Sequence, residues 1–300
     1  FTDGDRIIDG IVFANNSIFR DDAAPTVATG IVITHRKNNT IAQNIVLNGN
    51  TALNSGSAAL AVIDPFIFSF KQIAGVSTGG MSMQQLTING NSSISVDIDM
   101  IGGSSIINSI YAINLSNNVI SKLDISTVQG IYGFSSSGNS LIEAYDISAD
   151  ILENMLFNSD RVYGTVAFAA DPSLNLTCDN VRSLMISNGM YDNIDISGFT
   201  GVNSIKSFIA SNNILFGDFI LPSILVFPES EEQAKLLNNT VKGNFVSSSA
   251  FDVYTNASNR SRVFPWMNTS NGQTGGVVFN GISTRTVATT NDLTGAGIEN

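Results

Sequence analysis

The acidic residues are the ones whose spacing could do chemistry. Asp97 and Asp99 stand two apart in VDIDM, Asp192 and Asp195 three apart in YDNID, and Asp146, Asp150 and Glu153 fall close together. Paired carboxylates cleave glycosidic bonds when one holds a proton and the other is ionised, at a separation of about 5–9.5 Å. On a strand, Asp97 and Asp99 would share one face. A chain with 25 acidic residues places acids on any solvated face, so none of these pairs rises above background. Asp97, Asp99, Asp192 and Asp195 are therefore kept as candidates only, no catalytic residue is assigned, and a non-enzymatic protein is expected.

Other chemistry-bearing residues are few. His35 is the single histidine, in ITHRKNN beside Arg36 and Lys37. It could meet an anion or an acidic sugar, but a solvated turn is the ordinary reading. With Cys178 as the single cysteine, there is no basis for a disulfide, a thiol dyad or a zinc site. No metal and no cofactor is expected. Trp266, next to Pro265 in RVFPWM, is the candidate sugar-binding platform. Phe66, Phe68 and Phe70 alternate in PFIFSF and read as core or subunit contact.

Composition narrows the function classes. A net charge of −11 argues against nucleic-acid binding, which needs a basic footprint. No apolar run reaches the roughly 18 residues of a membrane-spanning helix, so no membrane insertion is expected. Charged residues make up 13% against a typical ~25%. The surface must be built from Ser, Thr, Asn and Gly. Strong helix formers are scarce, while β-branched residues and turn formers are common, which implies an all-β protein. The opening FTDGDRIIDG has neither an initiator Met nor a signal-peptide pattern, and reads as part of something longer.

The elements that must position these residues repeat. IVFANNSIF, IVLNGNTAL, LTINGNSSI, INLSNNVIS and KLLNNTVKG share a frame in which apolar residues alternate into a polar corner and resume after it. Weaker copies are FSSSGNSLI, MLFNSDRVY, LMISNGMYD and FIASNNILF. The corner residues are Asn16, Asn50, Asn91, Asn118, Asn139, Asp160, Gly189, Asn213 and Asn239. From Asn91 onward the spacings between these positions are 27, 21, 21, 29, 24 and 26, whereas the first two, 34 and 41, are long for one coil. A period in the twenties signals a solenoid whose coils bury their apolar faces against neighbours. The corner is expected to need the left-handed backbone that Asn, Asp and Gly tolerate, and stacked Asn side chains could bond along the axis.

Two solenoids fit: a right-handed parallel β-helix, which is favoured, and a leucine-rich-repeat type. Ile110, Ile113, Leu115, Asn118, Ile120 and Leu123 suit the latter frame. The return segments ISTVQGIYGF and ISADILENML are too short and too poor in helix formers for it. PESEEQAKLL (228–237) is read as one short helix with acids in its first turn. The division expected is a solenoid over 1–248, a small irregular or antiparallel β module over 249–273, and a linker strand over 274–300.

In that last segment, VVFNGISTRTVATTNDL resembles bacteriophage tail fibres, where a strand and an NG turn lead into a VATTxDL stretch. The Cys-poor solenoid upstream is similar to tailspike and tail-fibre shafts. This resemblance implies a virion appendage outside the cell, usually a homotrimer mounted with other virion tail proteins, that binds host cell-surface glycans. No family functional residue transfers. The alternatives are a glycan-degrading tailspike hydrolase or lyase, and a leucine-rich-repeat bacterial surface adhesion protein. The apolar residues Val277, Phe279 and Ile282 place the threefold contact at 274–293.

Overall fold

The computed structural model describes residues 6–20, 30–35, 40–54, 66–72, 80–92, 94–101, 108–141, 145–162, 173–222, 224–227, 233–247, 252–255, 263–266 and 269–274. Among these residues the chain is all-β, and parallel pairings join 25 strands into one continuous, solenoid-like sheet. The coil seen most completely runs from Ser109–Ser116 through a corner at Asn117 and Asn118 into Val119–Thr127. Gly130–Ser137 then lies beside Ser109–Ser116, one coil on, with Ile113 opposite Phe134 and Leu115 opposite Ser136. Spacing between corners ranges from 21 to 41 residues. The extra residues of the longer early coils fall in segments such as 55–65 and 73–79, outside the described residues.

Alternation explains the strands. Val119–Thr127 buries every second side chain from Leu123 to Thr127 and turns Lys122, Asp124 and Ser126 outward. Parallel register then stacks like on like. Ile45, Leu86, Ile113, Phe134, Met155 and Leu184 form one inward row, and Phe68, Val96, Leu123, Tyr145, Leu174 and Ile194 another. All of these are buried. Phe68 and Phe70 are thus core residues.

Between the inward rows runs a column of amides. Asn16, Asn50, Asn91 and Asn118 each donate Nδ2 to Oδ1 of the next rung, Asn50, Asn91, Asn118 and Asn139, at 2.9–3.0 Å. Each of the same four backbone N–H groups donates to that same oxygen at 2.9–3.1 Å. From Asn50 to Asn139 the Nδ2 also reaches a backbone carbonyl of the preceding coil, those of Phe13, Leu47, Ile88 and Leu115. Asn139 then bonds Asp160, and Gly189, Asn213 and Asn239 continue the column.

The backbone at these corners corrects one expectation. Positive φ belongs to the residue before each rung, Asn15, Gly49, Gly90, Asn117, Gly138, Ser159, Asn188, Asn212 and Asn238. The rungs themselves do not carry it. Asn is used there because its amide is both donor and acceptor. A second left-handed column, Gly10, Asn44, Gln85, Ala112, Gly133 and Asn154, bends the strand that leads into the corner.

Two further segments differ from expectation. Gln233–Leu237, expected in a helix, is a strand paired with Ser207–Ser211, because its Leu236 must fill the inward row after Ala210. Within 249–273, Val263–Trp266 and Thr269–Thr274 pair in parallel with Gln233–Leu237 and Thr240–Ser247, so the coil pattern runs on past residue 248. Residues 275–300 lie outside the described residues.

The column predicts an asymmetry between two asparagines of one strand and corner. Asn118→Ala removes the acceptor of Asn91 N and Nδ2 inside the core, and is expected to cost about 3 kcal/mol or more. Asn114→Ala, on the exposed face of the same coil, should stay within about 0.5 kcal/mol of wild type. Urea unfolding of the two variants measures both.

Candidate functional site

Among the described residues the inward rows are apolar and buried, and the side chains that face solvent stand on the outer faces. Before the corner, the outward rows stand in register. Gln84, Tyr111, Tyr132 and Glu153 form one row, Thr87, Asn114 and Ser135 a second, and Asn48, Asn89, Ser116 and Ser137 a third. Rows repeat at the interstrand spacing of about 4.8 Å. The Tyr111 and Tyr132 rings stack, with centroids 5.1 Å apart and planes at 15°. Tyr111 is 41% exposed. Hydrogen bonds order the third row: Asn89 Nδ2 donates to Asn48 Oδ1 at 3.2 Å and Ser116 Oγ to Asn89 Oδ1 at 2.8 Å.

This patch is neutral over three coils, with charge at one edge, where Arg182 Nη1 meets Glu153 Oε2 at 2.8 Å. Partial burial, reinforced by Tyr111, holds the Tyr132 phenol above its usual range, with Arg182 pulling the other way. Amides and hydroxyls that both donate and accept, beside aromatic rings, suit a neutral polyol such as a glycan. The sequence carried its signal in the corner frame, since Tyr111 and Tyr132 hold the same position before Asn118 and Asn139.

After the corner, a different row faces out. Asp97, Asp124, Asp146, Asn175 and Asp195 occupy successive coils in register. Each is engaged: Lys71 pairs with Asp97, Lys122 Nζ lies 3.1 Å from Asp124, Asn175 Nδ2 donates to Asp146 at 2.6 Å, and Ser197 Oγ donates to Asp195 at 2.6 Å. Asp97 and Asp195 are four coils apart, roughly 19 Å. Asp99 lies on the face of Asp97 and accepts from the Ile101 backbone. Asp192 sits just past Tyr191, near the corner rather than in this row. Asp124 and Asp146 were not singled out in the sequence as neighbours of Asp97. Counting from the corner residue reveals Asp124, six after Asn118 as Asp97 is six after Asn91; Asp146 stands seven after Asn139 and joins the row only through strand register.

The remaining sequence candidates do not converge. His35 ends the strand Gly30–His35, opposite Gln72. Trp266 lies in the strand Val263–Trp266, with its backbone opposite Leu237. Cys178 is buried, and burial pushes its thiol up to about 12, so it is an inert core residue. Among the described residues there is no group of three or more His, Cys, Asp or Glu placed to hold a metal, and no helix long and apolar enough to cross a membrane. No protein-family model, no curated protein and no solved structure matches this chain.

Because Arg182 pulls the Tyr132 phenol down, Arg182→Ala is expected to move that phenol's titration further up. The Tyr132 ring-carbon shift followed by NMR against pH reads this directly. The same substitution should change stability by less than about 1 kcal/mol, as the Glu153–Arg182 pair is exposed.

Proposed function

We propose that the chain is a structural, receptor-contacting part of a bacteriophage tail fibre or tailspike, displayed on the virion exterior and binding glycans of the host cell surface. The observation that carries the reading is the neutral patch around the stacked Tyr111 and Tyr132, flanked by Thr87, Asn89, Asn114, Ser116, Ser135 and Ser137. Its side chains offer donors and acceptors at every coil, as a repeating polysaccharide requires. The resemblance of VVFNGISTRTVATTNDL to tail fibres supports the same setting.

The proposed architecture is a right-handed β-helix. Second strands such as Val119–Thr127, where a leucine-rich repeat would carry a helical return, favour it over that alternative. The proposed assembly is a parallel homotrimer, joined through residues 274–293 and mounted with other virion tail proteins. Contact, not cleavage, is the proposed role of the outer faces: the cation beside Asp97 and the hydroxyl on Asp195 fit structural carboxylates better than an acid and its base.

Bacterial surface polysaccharides and lipopolysaccharides, immobilised and titrated with the full chain, test the reading. Binding by a host-range subset is expected. Tyr111→Ala and Tyr132→Ala should each weaken it about three- to tenfold, the worth of one aromatic contact. Met185→Ala, exposed on a later coil, should leave it unchanged. Binding indifferent to both tyrosines would contradict the site. Release of oligosaccharides that disappears in Asp97→Asn would contradict the non-enzymatic role, and a monomer in light scattering would contradict the trimer.

A further inference from the structure

One side chain of the column cannot work as its amides do. Asn139 N and Nδ2 donate to Asp160 Oδ1 at 2.8 and 3.1 Å, the pattern of the rungs before it. Asp160 Oδ2 therefore takes the place of an amide nitrogen. At Asn118, Asn139, Asn213 and Asn239 that nitrogen donates to a carbonyl of the preceding coil, on Ile88, Leu115, Ile186 and Ala210. By the same register the carbonyl facing Asp160 is that of Ser136. An ionised Oδ2 there would set acceptor against acceptor with no proton between them.

The following rung offers no relief. Gly189 has no side chain to meet Asp160, and Tyr191 fills its space: a Cβ built on Gly189 would lie 2.5 Å from Tyr191 Oη. Asp160 and Tyr191 are both 0% exposed. Asp160 Oδ2 and Tyr191 Oη are buried without a hydrogen-bond partner. Ser136 Oγ lies 2.7 Å from Tyr145 Oη and accepts from Asn139 Nδ2 at 2.9 Å, and what it offers Asp160 does not outweigh burial. The titratable groups acting with Asp160 from the packed coils are Tyr145 and Tyr191, and among the described residues no cation does so.

We propose that Asp160 is a proton-holding rung. In mildly acidic solution the folded chain keeps its carboxyl protonated, with Oδ2–H donating where the asparagine rungs use an amide N–H. Loss of that proton to solvent loosens the stacking of the Asp160 coil on the preceding coil, that of Ser136 and Asn139. Burial supports this by pushing the carboxyl up to about 6, against the opposing Ser136 and Asn139 hydrogen bonds. The folded value lies above the ordinary 3.8, so the stabilisation is complete below 3.8 and is lost as pH rises through 6. Between pH 4 and 7 the folded-to-unfolded ratio should fall on the order of a hundredfold from this group alone.

The test is urea unfolding of the full chain and of Asp160→Asn from pH 4 to 7.5, with the Asp160 13Cγ shift followed by NMR over the same range. Asp160→Asn supplies the amide that the other rungs have. Its stability should lack the fall that wild type shows between pH 4 and 7, and the wild-type 13Cγ midpoint should lie near 6. Superimposable pH profiles for the two proteins, or a midpoint at or below 4, would overturn the proposal. Should Asp160→Asn fail to fold, the 13Cγ midpoint decides alone.

Discussion

A buried amide that must be answered in the next coil is the constraint on which this structure rests. An Asn side chain without partners in an apolar interior costs several kcal/mol. Here Asn91 and Asn118 meet that cost completely: Oδ1 takes two donors from the rung before, and Nδ2 reaches the rung after and a carbonyl behind. Full use of the amide fixes each coil relative to the last. A slip of one residue would turn the rung outward and bring Lys122 or Asp124 into the core in place of Leu123 or Ile125. Coil length is then free to vary away from the corner, from 21 residues between Asn118 and Asn139 to 41 between Asn50 and Asn91.

The same register organises the exterior. Whatever stands two residues from a rung recurs in a row, coil after coil, because the backbone beneath it is locked. The chain thereby presents Asn89, Ser116 and Ser137 as an ordered polar strip and Asp97, Asp124 and Asp146 as an acidic one, on different faces of the same coils. Rows of like charge repel, and Lys71 and Lys122 offset part of that repulsion. Outer residues can change with little effect on the core.

Much of this was legible in the sequence because the corner frame joins two signals, period-two alternation and a fixed polar residue. The rungs Asn91, Asn118, Asn139, Asp160, Gly189, Asn213 and Asn239 stand out that way. Their physical reason did not, since NN and GN each contain two residues able to turn the chain. Only the backbone shows that Asn117 bends and Asn118 bonds. Gln233–Leu237 was obscured by local helix preference, which in-register pairing with Ser207–Ser211 overrides. The outer face was the hardest to see. Tyr111 and Tyr132 are 21 residues apart and become neighbours only when the coil closes, as do Asp97 and Asp124.

The rung backbone amides provide the most direct measurement. Asn50, Asn91, Asn118, Asn139 and Asn213 donate their N–H to a side-chain oxygen, not to a strand partner's carbonyl. If the amide column fixes the coils, these five protons exchange with solvent only through global unfolding, as slowly as the core-strand amides of Ile113 and Leu115. Exchange of the five at the rate of open loops, while Ile113 and Leu115 stay protected, would show that apolar stacking holds the coils and that the column merely follows.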